Sequence, residues 1–241
     1  MVSGTERRRL PREVREQQML DAAVEVFSEY GFHETSMEEI AERARVSKPL
    51  LYLYLGSKEE TFRACIARES DRLVDALGAA TRAEAADEAE RLWRGLTAFF
   101  TYVSERRSSW AVLYQQARSH NDSVAEQLAR VRGEIIATVA ELVLRAMRAS
   151  TPEGGGRGYA AMRREASAVA HALVGAADAM ATWAVTNPSE APQTTARRLM
   201  NLMWIGMERT AQGERFTAPD NDAPDGRVPD DHAPDGRAAS A

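Results

Sequence analysis

Residues 35–60 read TSMEEIAERARVSKPLLYLYLGSKEE. Three helix starts are marked in that stretch. Thr35 with Glu38, or Ser36 with Glu39, forms a capping box for a helix that carries Met37, Ile40, Ala41 and Ala44 on one face. Ser47 is placed as the N-cap of a short helix from about Lys48 to Leu55, and Ser57 with Glu60 opens another. Pro49 falls in the first turn of the Lys48 helix, where an N–H would have no intrahelical partner. Two short helices joined through Arg45-Val46-Ser47 have the spacing of a helix-turn-helix, whose second member enters a major groove.

The side chains of this pair suit a nucleic-acid surface. Ser47 and Lys48 are placed to reach base edges or phosphate, and Leu50 to pack on a thymine methyl. Tyr52 and Tyr54 offer hydroxyls to phosphate oxygens. Lys58, with the helix starts at Thr35, Ser36 and Ser57, is expected to meet phosphates on either side, and Arg45 and Pro49 complete the DNA-facing set. Each residue alone reads equally well as part of an ordinary packed helix; the ordered set is what points to DNA.

Upstream, Leu20, Ala23, Val24 and Phe27 repeat at i, i+3, i+4, i+7, predicting a helix that stops near Gly31. Downstream, helical periodicity fills roughly 86–106, 109–118, 122–149, 159–186 and 192–213, with a flexible loop at Ser150–Gly156. No alternating strand pattern of useful length occurs, so the fold class is all-α. The expected organisation is a basic flexible arm over 1–12, a helix-turn-helix DNA-binding domain over 13–68 and a larger helical domain over 69–213. An acidic Pro/Asp/Gly-rich tail over 214–241 has no apolar face to offset the entropy of ordering and is expected to be disordered.

A formal net charge of −5 is an unexpected sign for a DNA-binding chain. From Glu214 onward seven acids face three arginines, so four of the five net negative charges sit in the tail. Residues 1–15 carry Arg7, Arg8, Arg9, Arg12 and Arg15 against Glu6 and Glu13, a local +3 that adds phosphate affinity. Cys65, the single cysteine, excludes an internal disulfide and fits a reducing cytoplasm. The start of the chain is charged rather than apolar, and the alanine-rich stretch from about Ala166 to Val185 contains His171 and Asp178, so neither a secretory signal nor a membrane span is expected. The expected location is cytoplasmic.

Residues 16–66 resemble the DNA-binding domain of the tetracycline-repressor (TetR) family. The pattern is carried by Phe27, Gly31, Phe32, Thr35, Ile40, Ala41, Ala44, Val46, Ser47, Leu51, Tyr52, Tyr54, Ser57, Lys58 and Glu59. Arg45 stands where the family usually has glycine, and Leu55 where it usually has phenylalanine. The resemblance implies a ligand-binding domain in the later helices and a homodimer formed through the last two long ones, with double-stranded operator DNA and a small-molecule effector as partners. For the dimer interface the sequence offers a small-residue stripe at Ala168, Ala172, Gly175, Ala176 and Ala179, and an apolar stripe at Leu199, Leu202, Met203 and Gly206. Packing of these stripes within one chain is the competing reading. Candidate pocket residues are Trp93, Phe99, Phe100, Trp110, Tyr114 and Met180 with Trp183, with His171 and Asp178 as polar contacts.

Nothing points to an enzyme. His33, His120, His171 and His232 lack metal-ligand spacing, and no nucleophile elbow or phosphate loop occurs. No cofactor and no metal are expected. The function expected is a ligand-responsive DNA-binding regulator, most simply a homodimeric repressor on a palindromic operator that an effector releases. The alternative is a helical small-molecule- or partner-binding protein that does not read DNA specifically, for which Arg45 in the turn is the motive.

Overall fold

The computed structural model describes residues 11–82, 84–112, 114, 122–149 and 158–211. Among these, nine helices and no strand occur: α1 (Arg12–Glu34), α2 (Met37–Arg43), α3 (Lys48–Leu55), α4 (Lys58–Arg82), α5 (Glu88–Glu105), α6 (Arg107–Ala111), α7 (Asp122–Ala149), α8 (Tyr159–Thr186) and α9 (Pro192–Ala211). The arm up to residue 10, the loop at 150–156 and the acidic tail lie outside the described residues.

Local sequence rules account for the short helices. Ser36 caps α2 with a complete capping box: its hydroxyl accepts from the Glu39 N–H at 3.2 Å while the Glu39 carboxylate accepts from the Ser36 N–H at 2.7 Å. The same exchange opens α4 between Ser57 and Glu60. Gly31, with φ +79°, does not end α1 but kinks it, and the helix resumes to Glu34. Gly56, with φ +73°, terminates α3 in a backbone region that a side chain would strain.

The first core joins α1 to α4 around three phenylalanines. Phe27, Phe32 and Phe62 are buried, with Phe62 at 4.9 Å from Phe27 and 5.1 Å from Phe32 between ring centroids. Val112, just past α6, is buried in this same core, and Leu128 of α7 packs against it, so the later helices grip the first ones directly. The second core is built by α4, α5, α8 and α9 around Leu92, Phe99, Phe100, Leu173 and Leu199. A third joins Val143, Leu144 and Met147 of α7 to Ala166 of α8.

The feature that matters most for function is the continuity of α4. Its 25 residues run from the first core into the second without a break. A domain boundary at residues 68 and 69 therefore falls inside one helix. α8 is long and apolar enough to cross a bilayer by length and composition, yet its inner face is buried against its neighbours through Leu173, Val174, Ala177 and Ala181.

Candidate nucleic-acid interface and inner cavity

α2 ends in a Schellman arrangement. Val46 N–H donates to the Ala41 carbonyl and Arg45 N–H to the Glu42 carbonyl, both at 3.0 Å, and Arg45 itself takes φ +55°. Arginine thus occupies the left-handed position that usually calls for glycine, at a cost of about 1 kcal/mol or slightly more. The turn keeps its geometry, and Val46 still packs on the first core.

α3 is seated by Leu51 and Leu55, both buried, and by half-buried Leu50 and Tyr54. Its opposite face presents Lys48, Pro49, Tyr52 and Leu53. Ser47 is the N-cap residue by position, but its hydroxyl makes no capping bond and is exposed, so it is free to meet a ligand. Tyr54 lies beneath the Arg12 guanidinium, 5.3 Å from its ring centroid, which brings the start of α1 beside α3.

Three of the expected DNA contacts have other roles. Thr35 is buried, and its hydroxyl donates to the Gly31 carbonyl at 2.7 Å across the kink of α1. The Lys58 ammonium donates to the carbonyls of His33 at 3.0 Å and Thr35 at 2.9 Å, and sits over the Phe32 ring at 4.6 Å. It neutralises the carbonyl end of α1 and locks α4 to it. Leu50 points toward the core, and the apolar side chain offered to solvent is Leu53, 73% exposed. Sequence reasoning missed Leu53, although Pro49, Tyr52 and Leu53 follow the i, i+3, i+4 spacing of one face. Of the remaining contacts, Ser36, Arg45, Ser47, Lys48, Pro49 and Tyr52 are exposed, and Tyr54 is half-buried against the first core. Lys48 bridges to Glu38 of α2 at 3.2 Å and Arg43 to Glu25 and Glu29, so much of the local positive charge is internally balanced.

The other half of the molecule holds an open-sided cavity of about 850 Å³ between α4, α5, α7 and α8. Along α4 its wall extends from Ser70 to Arg82, a helical rise of about 18 Å. Leu73, Leu77, Leu92, Leu96, Leu142 and Leu173 give it an apolar lining, with Arg82 and Arg91 among the lining groups toward the C-terminal end of α4. Such a volume suits a small-molecule ligand. Of the expected pocket residues, Phe99, Trp110, Tyr114 and Asp178 line it.

The other five do not. Trp93 lies under the Arg197 guanidinium at 6.0 Å, Phe100 is packed in the second core against a minor crevice, and Met180 joins the same core. His171 is exposed and bonds to the Ser167 carbonyl at 2.8 Å, and Trp183 is exposed beneath Arg198. Asp178 reaches the cavity paired with Arg132 of α7.

The outer face of α8 and α9 exposes Ala168, Ala172 and Ala179 with Leu202 and Gly206. Gly175, Ala176 and Met203 are partly covered by the chain itself. Leu199 is fully buried inside the protomer and is a core residue, not a surface one. Trp183 and Ile205, 41% and 49% exposed, extend this outer apolar face.

Between the two halves stands a buried carboxylate. Glu69 of α4 accepts from Arg68 at 2.7 Å, from Arg72 at 2.9 Å and from the Tyr102 hydroxyl of α5 at 3.2 Å. Burial alone would push its carboxyl up, but the Ser109 hydroxyl of α6 and the two guanidinium groups outweigh this and hold it below the ordinary value. Arg68 and Arg72 also reach Asp21 of α1, at 3.0 and 3.4 Å. One network therefore touches α1, α4, α5 and α6. Cys65, one turn earlier, is buried, and burial pushes its thiol up to about 12, which makes it a core residue rather than a nucleophile.

Comparison with known proteins agrees with this geometry. Residues 19–65 match the family model for bacterial regulatory proteins of the tetR family, and residues 89–206 match that of a tetracyclin repressor-like C-terminal domain. A TetR-like transcriptional regulator from Rhodococcus sp. RHA1 superposes with a TM-score of 0.70 at 41% identity, covering 83% of this chain and 98% of that one. The transcriptional activator FasR of Mycolicibacterium smegmatis is 38% identical over 120 residues, 50% of this chain; the match spans 54% of FasR's own length. FadR of Bacillus subtilis, solved in complex with stearoyl-CoA, shares the fold at a TM-score of 0.58 and 17% identity, covering 78% of this chain and 96% of that one.

Proposed function

Because the chain belongs to the TetR family of bacterial regulatory proteins, we propose that it is a ligand-responsive transcriptional regulator rather than an enzyme, acting on DNA in the cytoplasm. The exposed face of α3 enters a major groove, with Ser47 and Lys48 at its leading end, Leu53 against base methyl groups and Tyr52 on phosphate. Two protomers join through the outer face of α8 and α9. Their two α3 helices then fall in successive major grooves, roughly 34 Å apart, and a palindromic operator follows from the two-fold axis.

One observation carries the reading: α4 is continuous from beneath α3 to the wall of the cavity. An effector that favours a different setting of α4 necessarily moves the helix on which α3 rests. Its influence on DNA equals its difference in affinity for the two settings. The Glu69 network is the joint at which that movement meets α1. The apolar, elongated cavity suits a long acyl chain, and the stearoyl-CoA bound by the B. subtilis relative supports that class of effector.

The direction of regulation is repression relieved by the effector. Activation is the second reading, favoured by the role named for the Mycolicibacterium relative. Arg45 supplied the motive for a protein that no longer reads DNA, and its turn is intact.

Selection of bound sequences from random DNA by the full-length protein, with and without stearoyl-CoA, tests the proposal. Enrichment of a palindrome whose recovery changes with stearoyl-CoA is the expected result. Absence of any enriched sequence under both conditions would overturn it. Run-off transcription from a promoter carrying the selected sequence separates repression from activation, and sedimentation at micromolar concentration tests the dimer.

A further inference from the structure

The aliphatic hydroxyls along the cavity differ in how they are used. Thr81 donates to the Leu77 carbonyl at 2.8 Å and Thr138 to the Glu134 carbonyl at 2.9 Å, the ordinary way in which a helical threonine satisfies its hydroxyl. Ser70 lines the same cavity and is 2% exposed, yet its Oγ has no hydrogen-bond partner among the described residues. A buried hydroxyl left in this state is destabilising unless something pairs with it. Its immediate neighbour cannot serve, because the Glu69 carboxylate is already occupied by Arg68, Arg72, Tyr102 and Ser109.

The surrounding charges define what would pair. Arg68 and Arg72 are committed to Glu69 and Asp21, and Asp75 lies five residues along the same helix. Arg132, on the facing helix, is held by Asp178. Arg82, the next cavity-lining arginine on α4, folds its guanidinium back beside Gly78, still about 12 Å along the helix from Ser70. The surroundings of Ser70 therefore offer a hydrogen bond without a free positive charge. That combination suits an uncharged acceptor and disfavours a carboxylate or phosphate.

We propose that Ser70 is an uncharged polar contact of the cavity, donating a hydrogen bond to a neutral oxygen, a carbonyl or hydroxyl, borne by an otherwise apolar chain. This rests on the cavity being the effector site. It goes further in assigning a residue and the chemistry of the group that residue recognises. The contact lies next to Glu69 in sequence, so a ligand seated there acts at the junction with α1.

Matched probes isolate the hydrogen bond: 2-undecanone and undecane have the same chain length and differ in one carbonyl. Binding to the full-length protein is followed by tryptophan fluorescence, to which Trp110 in the cavity wall contributes. The wild type is expected to bind the ketone roughly five- to tenfold tighter than the alkane, and Ser70→Ala to lose or reverse that preference without weakening the alkane, because the buried carbonyl then has no donor. Unliganded Ser70→Ala is expected to melt no lower than the wild type, since it loses an unpaired hydroxyl rather than a bond. A ketone preference that survives in Ser70→Ala would overturn the assignment, as would a lowered melting temperature, which would return the hydroxyl to the fold. If the wild type binds neither probe, the cavity reading falls together with the Ser70 assignment.

Discussion

The two halves of α4 face opposite kinds of interior. Phe62, Cys65 and Ile66 are fully buried in a core closed by stacked and edge-on phenylalanines, whereas Ser70, Leu73, Leu77 and Thr81 border about 850 Å³ of cavity. The first half must hold α3 in one orientation, and a filled core resists deformation. The second half must respond to a small molecule, and a wall lacking neighbours on one side is free to settle differently when a ligand supplies them. Rigidity for presentation and slack for sensing thus occupy successive turns of one helix, with Glu69 between them.

This contrast breaks first at large side chains. Phe62→Ala should cost about 3–5 kcal/mol in chemical denaturation and abolish DNA binding. Leu77→Ala, on the cavity wall, should cost less than about 2 kcal/mol, because fewer packed contacts are lost there. Equal costs would mean that the two interiors do not differ as described.

The joint is the next target. Glu69→Gln leaves two guanidinium groups without their charged acceptor and should cost about 1–3 kcal/mol. It should also reduce the effect of the effector on DNA affinity. The Glu69 carboxyl is held below its ordinary value in the folded protein. Its stabilising contribution is therefore complete above about pH 4.5 and is lost as pH falls through the lowered value. Glu69→Gln should flatten that part of the acid limb in a plot of melting temperature against pH.

Substitutions on α3 sharpen the comparison further. Leu53→Ala should leave the melting temperature unchanged and alter preference at one operator position by about 1 kcal/mol, read by competition between selected sequences. Leu50→Ala should instead lower stability, as its side chain packs on the core. The smallest effect is expected at the turn. Arg45→Gly removes the left-handed strain but adds freedom to the unfolded chain, for a net gain of no more than about 1 kcal/mol in thermal unfolding.

The helix-turn-helix was legible in the sequence because its determinants are local. Capping boxes and Pro49 near a helix start act over three or four residues, and the structure uses Ser36, Glu39, Ser57 and Glu60 accordingly. Even there, helical spacing does not say which side is covered. Leu50 and Leu53 lie three residues apart, and only the packing of α3 on α1 and α4 sends one inward and the other out. The capping role of Lys58 is hidden from sequence for a related reason: the carbonyls that it caps are more than twenty residues away in the chain. The cavity was less legible still, because aromatic residues at helical spacing can face any of several neighbours. Trp110 turns into the cavity while Trp93 and Trp183 lie under arginines elsewhere. Ser70 gave no signal at all in the sequence, since an unpartnered hydroxyl is defined by what surrounds it.

Regulation requires coupling between the filled half of α4 and the hollow half. Fluorescence anisotropy of a selected operator fragment, titrated with full-length protein at fixed salt with and without saturating stearoyl-CoA, measures that coupling directly. A change in operator affinity of about fivefold or more, absent for a scrambled fragment, is the predicted result. Sequence-selective binding that stearoyl-CoA and a panel of other long-chain amphiphiles leave unchanged would contradict it.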